Sequence, residues 1–195
     1  MTIALIRNAG SAGDIEGRRM GLLDESISPG GRERLLRKID AGAYPDAQMV
    51  FTGGLSRCLD TARSIYPRVP AIVLRELSPF DFGVFSGLTV REITESEPFR
   101  IFFSGCDIKV PPGGSEDHYS FLTRCGQAFL RIAREAQDKG AEMVSVVTHL
   151  AVIRTILRRY HVPRAFYRDW RADFCGGFLC EFGERDGMLR VKREI

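Results

Sequence analysis

Two rhythms alternate along the chain: short continuous apolar runs, and longer segments in which apolar residues return every three or four positions. The first run, Ile3 to Ile6, passes straight into Arg7-Asn8-Ala9-Gly10. A run of this length bounded by turn formers predicts a buried strand, and it leaves polar groups at the strand's carboxyl end. A second run, Gln48 to Thr52, ends in Gly53-Gly54, after which Leu55, Leu59, Ala62, Ile65 and Tyr66 recur at helical spacing. The third, Met143 to Thr148, is followed by His149 and by a helix carrying Leu150, Ile153, Leu157 and Tyr160 on one face. Strand, polar loop and helix thus repeat, with Arg7, Arg57 and His149 beside the strand ends. This alternation predicts an α/β fold, a three-layer α/β/α sandwich with a mainly parallel central sheet. In such sheets ligands collect outside the carboxyl ends of the strands, where loop backbone and helix N-termini offer N–H donors to an anion.

The remaining pattern fits the same plan. Ser28-Pro29-Gly30-Gly31 is a helix start, with serine as the cap and proline at the first helical position, and the helix is predicted through Lys38. A further strand is predicted at Ala71 to Leu74. Asp117 to Lys139 reads as one long amphipathic helix, and core packing accounts for its stripe of Leu122, Cys125, Phe129, Ile132 and Ala136. Gly177 to Phe182 and Met188 to Arg193, separated by Gly183 to Gly187, read as a hairpin. Pro111-Pro112-Gly113-Gly114 is a loop too short to link domains, so one domain over residues 1–195 is expected.

Composition narrows the function classes. With 44% hydrophobic and 27% charged residues, the 195-residue chain has the make-up of an ordinary globular domain. The 28 Lys and Arg against 25 Asp and Glu give +3, too small an excess to act as a broad field. Nucleic acid and anionic membranes are therefore not expected partners, and any positive patch must be local. No apolar run approaches the ~18 residues of a membrane span, and Arg7 interrupts the apolar start, so a cytoplasmic location is expected. The cysteines at 58, 106, 125, 175 and 180 are odd in number and form no CxxC or Cys/His pairing. They read as reduced, mostly buried thiols, with no metal or organic cofactor implied.

Taken in order, the motifs resemble the histidine phosphatase superfamily, which includes phosphoglycerate mutases and α-ribazole phosphatases. Ile3-Ala-Leu-Ile-Arg-Asn-Ala9 stands where that family has a strand and then Arg-His-Gly, and Glu16-Gly-Arg-Arg-Met-Gly21 follows at the family's spacing. Ser28 to Arg32, Phe51 to Ala62, Asp81 to Thr89, Pro112 to Glu116 and Val147-Thr-His149 continue the series. The resemblance implies a phosphoglycerate mutase-like fold with one antiparallel strand. It implies that Arg7 and Arg57 grip phosphate oxygens, that His149 adds a donor, and that Asp14 and Glu16 lie at substrate-binding positions. It also implies a carboxyl general acid, for which Glu76 and Asp81 compete.

One departure changes the expected chemistry. Asn8 occupies the position of the nucleophilic histidine, and an amide nitrogen, its lone pair delocalised into the carbonyl, cannot form a phosphoenzyme. Ala9 stands for the family's glycine. Asp14 stands where many members have an asparagine, and its carboxylate repels a dianion. These two changes point to divergence rather than a single engineered substitution. His118 and His161, at a helix start and a helix end, read as ordinary surface or core residues. Arg154, Arg158 and Arg159 read as partners of a helix C-terminus.

Three functions follow as expectations. The first is a phosphatase-type protein that binds a small phosphate monoester or similar anion with impaired turnover. The second is a repurposed enzyme in which His149 and Glu76 perform acid–base chemistry without a phosphoenzyme. The third is a non-catalytic interaction protein that keeps only the fold. The sequence does not define an oligomeric state.

Overall fold

The first apolar run forms strand β1 (Thr2–Arg7), and its two faces pack against different helices. Ile3 and Leu5 lie in one core cluster with Phe121, Phe129, Ile132, Ile153 and Ile156, whereas Ala4 and Ile6 lie in a second with Ala62 and Tyr66. Side chains alternate across a strand, so a strand buried on both faces must be apolar throughout. A computed structural model describes residues 1–104, 110–114 and 116–195. Cys106 and Ser115, noted above in the cysteine set and in the Pro112 to Glu116 motif, lie outside the described residues.

The other elements follow in chain order. They are α1 (Ala12–Ile15), α2 (Pro29–Asp40), β2 (Met49–Thr52), α3 (Ser56–Ile65), β3 (Ala71–Val73), α4 (Val90–Glu95) and α5 (Glu97–Ser104), then α6 (His118–Asp138), β4 (Met143–Thr148), α7 (Leu150–Tyr160), β5 (Gly177–Gly183) and β6 (Met188–Glu194). The sheet order is β3-β2-β4-β1-β5-β6. β3, β2, β4 and β1 pair in parallel, and β5 runs antiparallel to both β1 and β6. Helices α6 and α7 cover one face, and α2 and α3 the other. The architecture is the α/β sandwich expected, with β5 as the strand of opposite sense.

Local chemistry sets the element ends. Ser28 accepts from the Gly31 amide at 3.0 Å and Pro29 opens α2, while Asp117 accepts from the Ser120 amide at 2.7 Å to open α6. A Cβ at Gly31 would meet the Gly10 carbonyl oxygen at 2.3 Å, so only glycine lets the first turn of α2 press on the loop after β1. Helices α4 and α5 lie in a stretch where no element was expected. Their absence from the pattern has a cause: α4 buries none of its residues and is held by a Thr89/Glu92 capping box. Cys58, Cys125, Cys175 and Cys180 are free, buried thiols.

Register carries the consequence for function. Arg7 pairs with Thr148 and Thr52 pairs with Val147, so β1, β4 and β2 end side by side. The residues that follow them open into one crevice.

Candidate anion-binding cleft

Asn8 follows β1 directly, and its amide donates to the Thr148 carbonyl at 2.8 Å, continuing the strand pairing. Arg7, at the strand's last position, donates through Nη1 to the Ala172 carbonyl at 2.8 Å, and its guanidinium lies 3.6 Å from the centre of the Phe174 ring. Burial lowers its pKa, and Asp14 and Asp173 partly offset that. A guanidinium stays protonated in proteins, so Arg7 is a fixed cation with a planar set of donors.

Arg57 sits in the first turn of α3 and is only 2% exposed. Its Nη1 donates to the Leu23 carbonyl at 2.7 Å and its Nη2 to the Gly21 carbonyl at 2.9 Å. These bonds lock the guanidinium plane. Nε has no hydrogen-bond partner among the described residues, and Asp14 Oδ2 lies 4.0 Å from it. A buried donor left without a partner costs about 1–3 kcal/mol, more for a charged group, and an arriving acceptor removes that cost. Asp14 is committed elsewhere, because its Oδ2 accepts from the Ser11 amide and hydroxyl, each at 3.1 Å.

His149 is the N-cap residue of α7 and makes no side-chain cap bond. Its Nε2 lies 3.4 Å from Cys58 Sγ. Burial first, then Arg57, Arg7 and Arg124, hold the imidazole well below its usual pKa, so it is neutral at pH 7. Burial likewise pushes the Cys58 thiol up to about 12, which keeps it protonated. The neighbouring Thr148 hydroxyl donates to the Leu77 carbonyl at 2.7 Å. Asn8 is buried, and its Nδ2 donates to the Ala9 carbonyl at 2.8 Å.

Arg7, Asn8, Asp14, Arg57 and His149 line one cavity of ≈150 Å³ together with Arg18, Arg19, Pro79, Phe82 and Phe174. A larger cavity of ≈620 Å³ lies along α7 at Thr155, Arg158, Arg159 and Arg164, and none of the strand-end residues reaches it. Arg7, Asn8, Asp14, Arg57 and His149 are thus brought together. Glu16 and Glu76 are not. Glu16 is exposed and accepts from Arg18 Nε at 2.7 Å.

For Glu76 the structure corrects the expectation of a cleft acid. A 3-10 turn at Arg75–Leu77 buries Leu77, which turns Glu76 outwards, where its side chain, 47% exposed, faces Arg131 on α6 at 3.7 Å. Asp81, the competing candidate, accepts from the Gly83 amide at 2.9 Å and is not among the cleft-lining residues. Pro79 and Phe82 line the cleft from this segment instead, leaving Asp14 as the single carboxylate among the described lining residues.

Sequence reasoning missed Arg18 and Arg19 as cleft residues. Arg18 bridges to Thr89, and the Arg19 amide donates to the Leu88 carbonyl at 2.8 Å, which folds this loop back over the strand ends. His161 stacks edge-on against Trp170 at 4.6 Å, an ordinary packing role. No group of three His, Cys, Asp or Glu able to hold a metal occurs among the described residues, and no described helix is long and apolar enough to cross a membrane.

A mainly parallel sheet with arginines and a histidine gathered at its carboxyl edge defines an α/β protein with a cationic cleft at its strand ends. Residues 3–193 match the histidine phosphatase superfamily (branch 1), and the chain belongs to that family. Its fold is similar to that of an α-ribazole phosphatase from Shigella flexneri (TM-score 0.81, 19% identity, covering 98% of this chain and 95% of that one). It is also similar to a phosphoserine phosphatase from Entamoeba histolytica in complex with 3-phosphoglyceric acid (0.75, 20%, 99% and 95%). A phosphoglycerate mutase from Bacillus anthracis str. Sterne is a further structural neighbour (0.76, 17%, 98% and 91%). No curated protein matches in sequence.

Proposed function

We propose that the chain binds a small phosphate monoester or a similar anion in this cleft and turns it over poorly or not at all. The observation that carries the reading is Arg57. Its guanidinium is buried, locked by two carbonyls, and left with an Nε that makes no hydrogen bond, in a cleft lined also by Arg7, Arg18, Arg19 and His149. That arrangement suits a bound oxyanion, which would accept from Nε and from the free donors of Arg7. Two features argue against ordinary turnover. Asn8 offers no free nitrogen lone pair to attack phosphorus, and the cleft's only described carboxylate, Asp14, is spent on capping α1 and balancing Arg57.

Acid–base chemistry by His149 and Glu76 finds no support in the geometry, because Glu76 lies outside the cleft on the α6 side. The interaction-protein reading separates from the anion reading by experiment. Titration calorimetry with inorganic phosphate is expected to give saturable binding to the wild-type chain and at least tenfold weaker binding to Arg57→Met. Equal binding by both, or none by either, would remove the basis for an anion-binding role.

A further inference from the structure

Beside the anion cleft lies a second cavity of ≈390 Å³, walled by Phe80, Phe82, Phe85, Val90, Ile93 and Phe99. Its polar lining consists of Arg19, Thr94 and His118, with no carboxylate among the described residues. The walls are braced. Phe80 packs edge-on against Phe82 at 5.4 Å and against Phe121 of the core at 5.6 Å, and Phe85 meets Phe99 at 6.4 Å. Arg19 and Phe82 line this cavity and the anion cleft alike, so the two open on a shared wall.

Size and lining divide the work between them. The ≈150 Å³ cleft is the smaller of the two and is lined by Arg7, Arg18, Arg19, Arg57 and His149, which suits an anionic head. That charged lining gives the apolar body of an ester anchored there little to pack on. The ≈390 Å³ cavity is within the ~300–1,000 Å³ range of small-molecule sites, and its braced aromatic walls favour an uncharged, apolar occupant. Arg19 adds a cation at the junction. Its side chain is exposed and, among the described residues, has no hydrogen-bond or carboxylate partner, so it is available to an anion on one side and to a ring face on the other.

We infer that the ligand of this protein is an amphipathic phosphate-type ester, whose anionic head sits among Arg7, Arg57 and His149 and whose aromatic or bulky aliphatic body fills the phenylalanine-lined cavity across Arg19 and Phe82. The inference rests on the anion reading above and adds the class of the esterified group. Sugar phosphates and amino-acid phosphates, polar along their whole length, gain little from this second cavity because their hydroxyls and charges would lose water there.

The test compares inorganic phosphate, methylphosphonate and (1-naphthylmethyl)phosphonate by titration calorimetry on the full chain. The naphthyl compound is expected to bind about tenfold or more tightly than methylphosphonate, because its ring leaves water for the apolar cavity. Thr94→Trp fills that cavity from an exposed helix position, and Val90→Asp places a charge on its rim. Each is expected to bring the naphthyl Kd to that of methylphosphonate while leaving the methylphosphonate Kd and the circular dichroism unchanged. Equal affinity of the two phosphonates for the wild-type chain, or a naphthyl advantage that survives both variants, overturns the inference and leaves the anion site standing. Failure of all three ligands to bind, or naphthyl binding unaffected by Arg57→Met, overturns the anion reading and the inference with it.

Discussion

An amide at position 8 leaves the proposed anion cleft without a nitrogen lone pair free to attack phosphorus at that position. Asn8→His is therefore expected to create hydrolysis of p-nitrophenyl phosphate, by roughly 10³-fold or more over the wild-type chain. The gain depends on the leaving group. p-Nitrophenolate departs unprotonated, whereas the alkoxide of phosphoserine needs a proton, and general acid catalysis contributes ~10²–10⁴-fold. Because neither Glu76 nor Asp81 lines the cleft, the variant should leave phosphoserine nearly untouched, which parallel assays of released phosphate will read. His149 carries a different expectation. Its folded pKa is depressed below 6.5, so the unfolded chain binds more protons than the folded one once the pH falls under that value. Its contribution to stability is fully present above about pH 6.5 and is lost as the pH falls towards the folded pKa, by at most ~1.4 kcal/mol per pH unit. Urea melts between pH 7 and 5 should show this slope, and His149→Gln should flatten it. Arg7, Arg57 and His149 were legible because each adjoins a predicted strand end. Arg18 and Arg19 were not, since a loop contact with Leu88 and Thr89, some seventy positions on, brings them to the cleft.

Among the elements, the segment from the 3-10 turn at Arg75–Leu77 to Phe82 decides the shape of the cleft wall, and one residue of α6 holds it. Arg124 donates to the carbonyls of Glu76 (2.8 Å), Ser78 (2.7 Å) and Pro79 (2.8 Å). Its guanidinium also pairs in bidentate fashion with Glu116, at 2.7 and 2.5 Å. Removing that fork leaves three carbonyls and one carboxylate to find other partners. Arg124→Met is expected to cost about 2–4 kcal/mol in urea denaturation. Arg124→Lys, which keeps the charge but not the planar fork, should recover only part of it. Elements built on a buried stripe were predicted within a residue or two of their observed ends: Gln48 to Thr52 became Met49–Thr52, and Asp117 to Lys139 became His118–Asp138 with Asp117 as its cap. α4 escaped notice because a helix that buries nothing has no apolar period to read. Glu76 was misassigned because sequence spacing does not report which way a single 3-10 turn faces its middle residue.

Across the whole molecule, a net charge of +3 hides a local field that the strand register creates. Pairing Arg7 with Thr148 and Thr52 with Val147 sets three loops side by side, and four arginines then converge on a cleft whose one described carboxylate is Asp14. Gathering like charges in a partly desolvated site opposes folding, and a bound anion relieves that repulsion in the folded state alone. Phosphate should therefore act as a folding ligand. At a hundred times its Kd it contributes ~2.7 kcal/mol, and for a chain of this size each kcal/mol raises Tm by ~2–4 °C. A rise of roughly 5–10 °C is expected in calorimetric melts with saturating phosphate. Chloride at matched ionic strength should give little of it, because screening weakens the repulsion without supplying acceptors to Arg57 Nε. Asp14→Asn separates two contributions. It removes the internal counter-charge, so the ligand-free chain should melt lower and the phosphate-bound chain should regain more, widening the gap between the two melts. A gap that instead narrows would mean that Asp14 supports the bound anion rather than standing in for it.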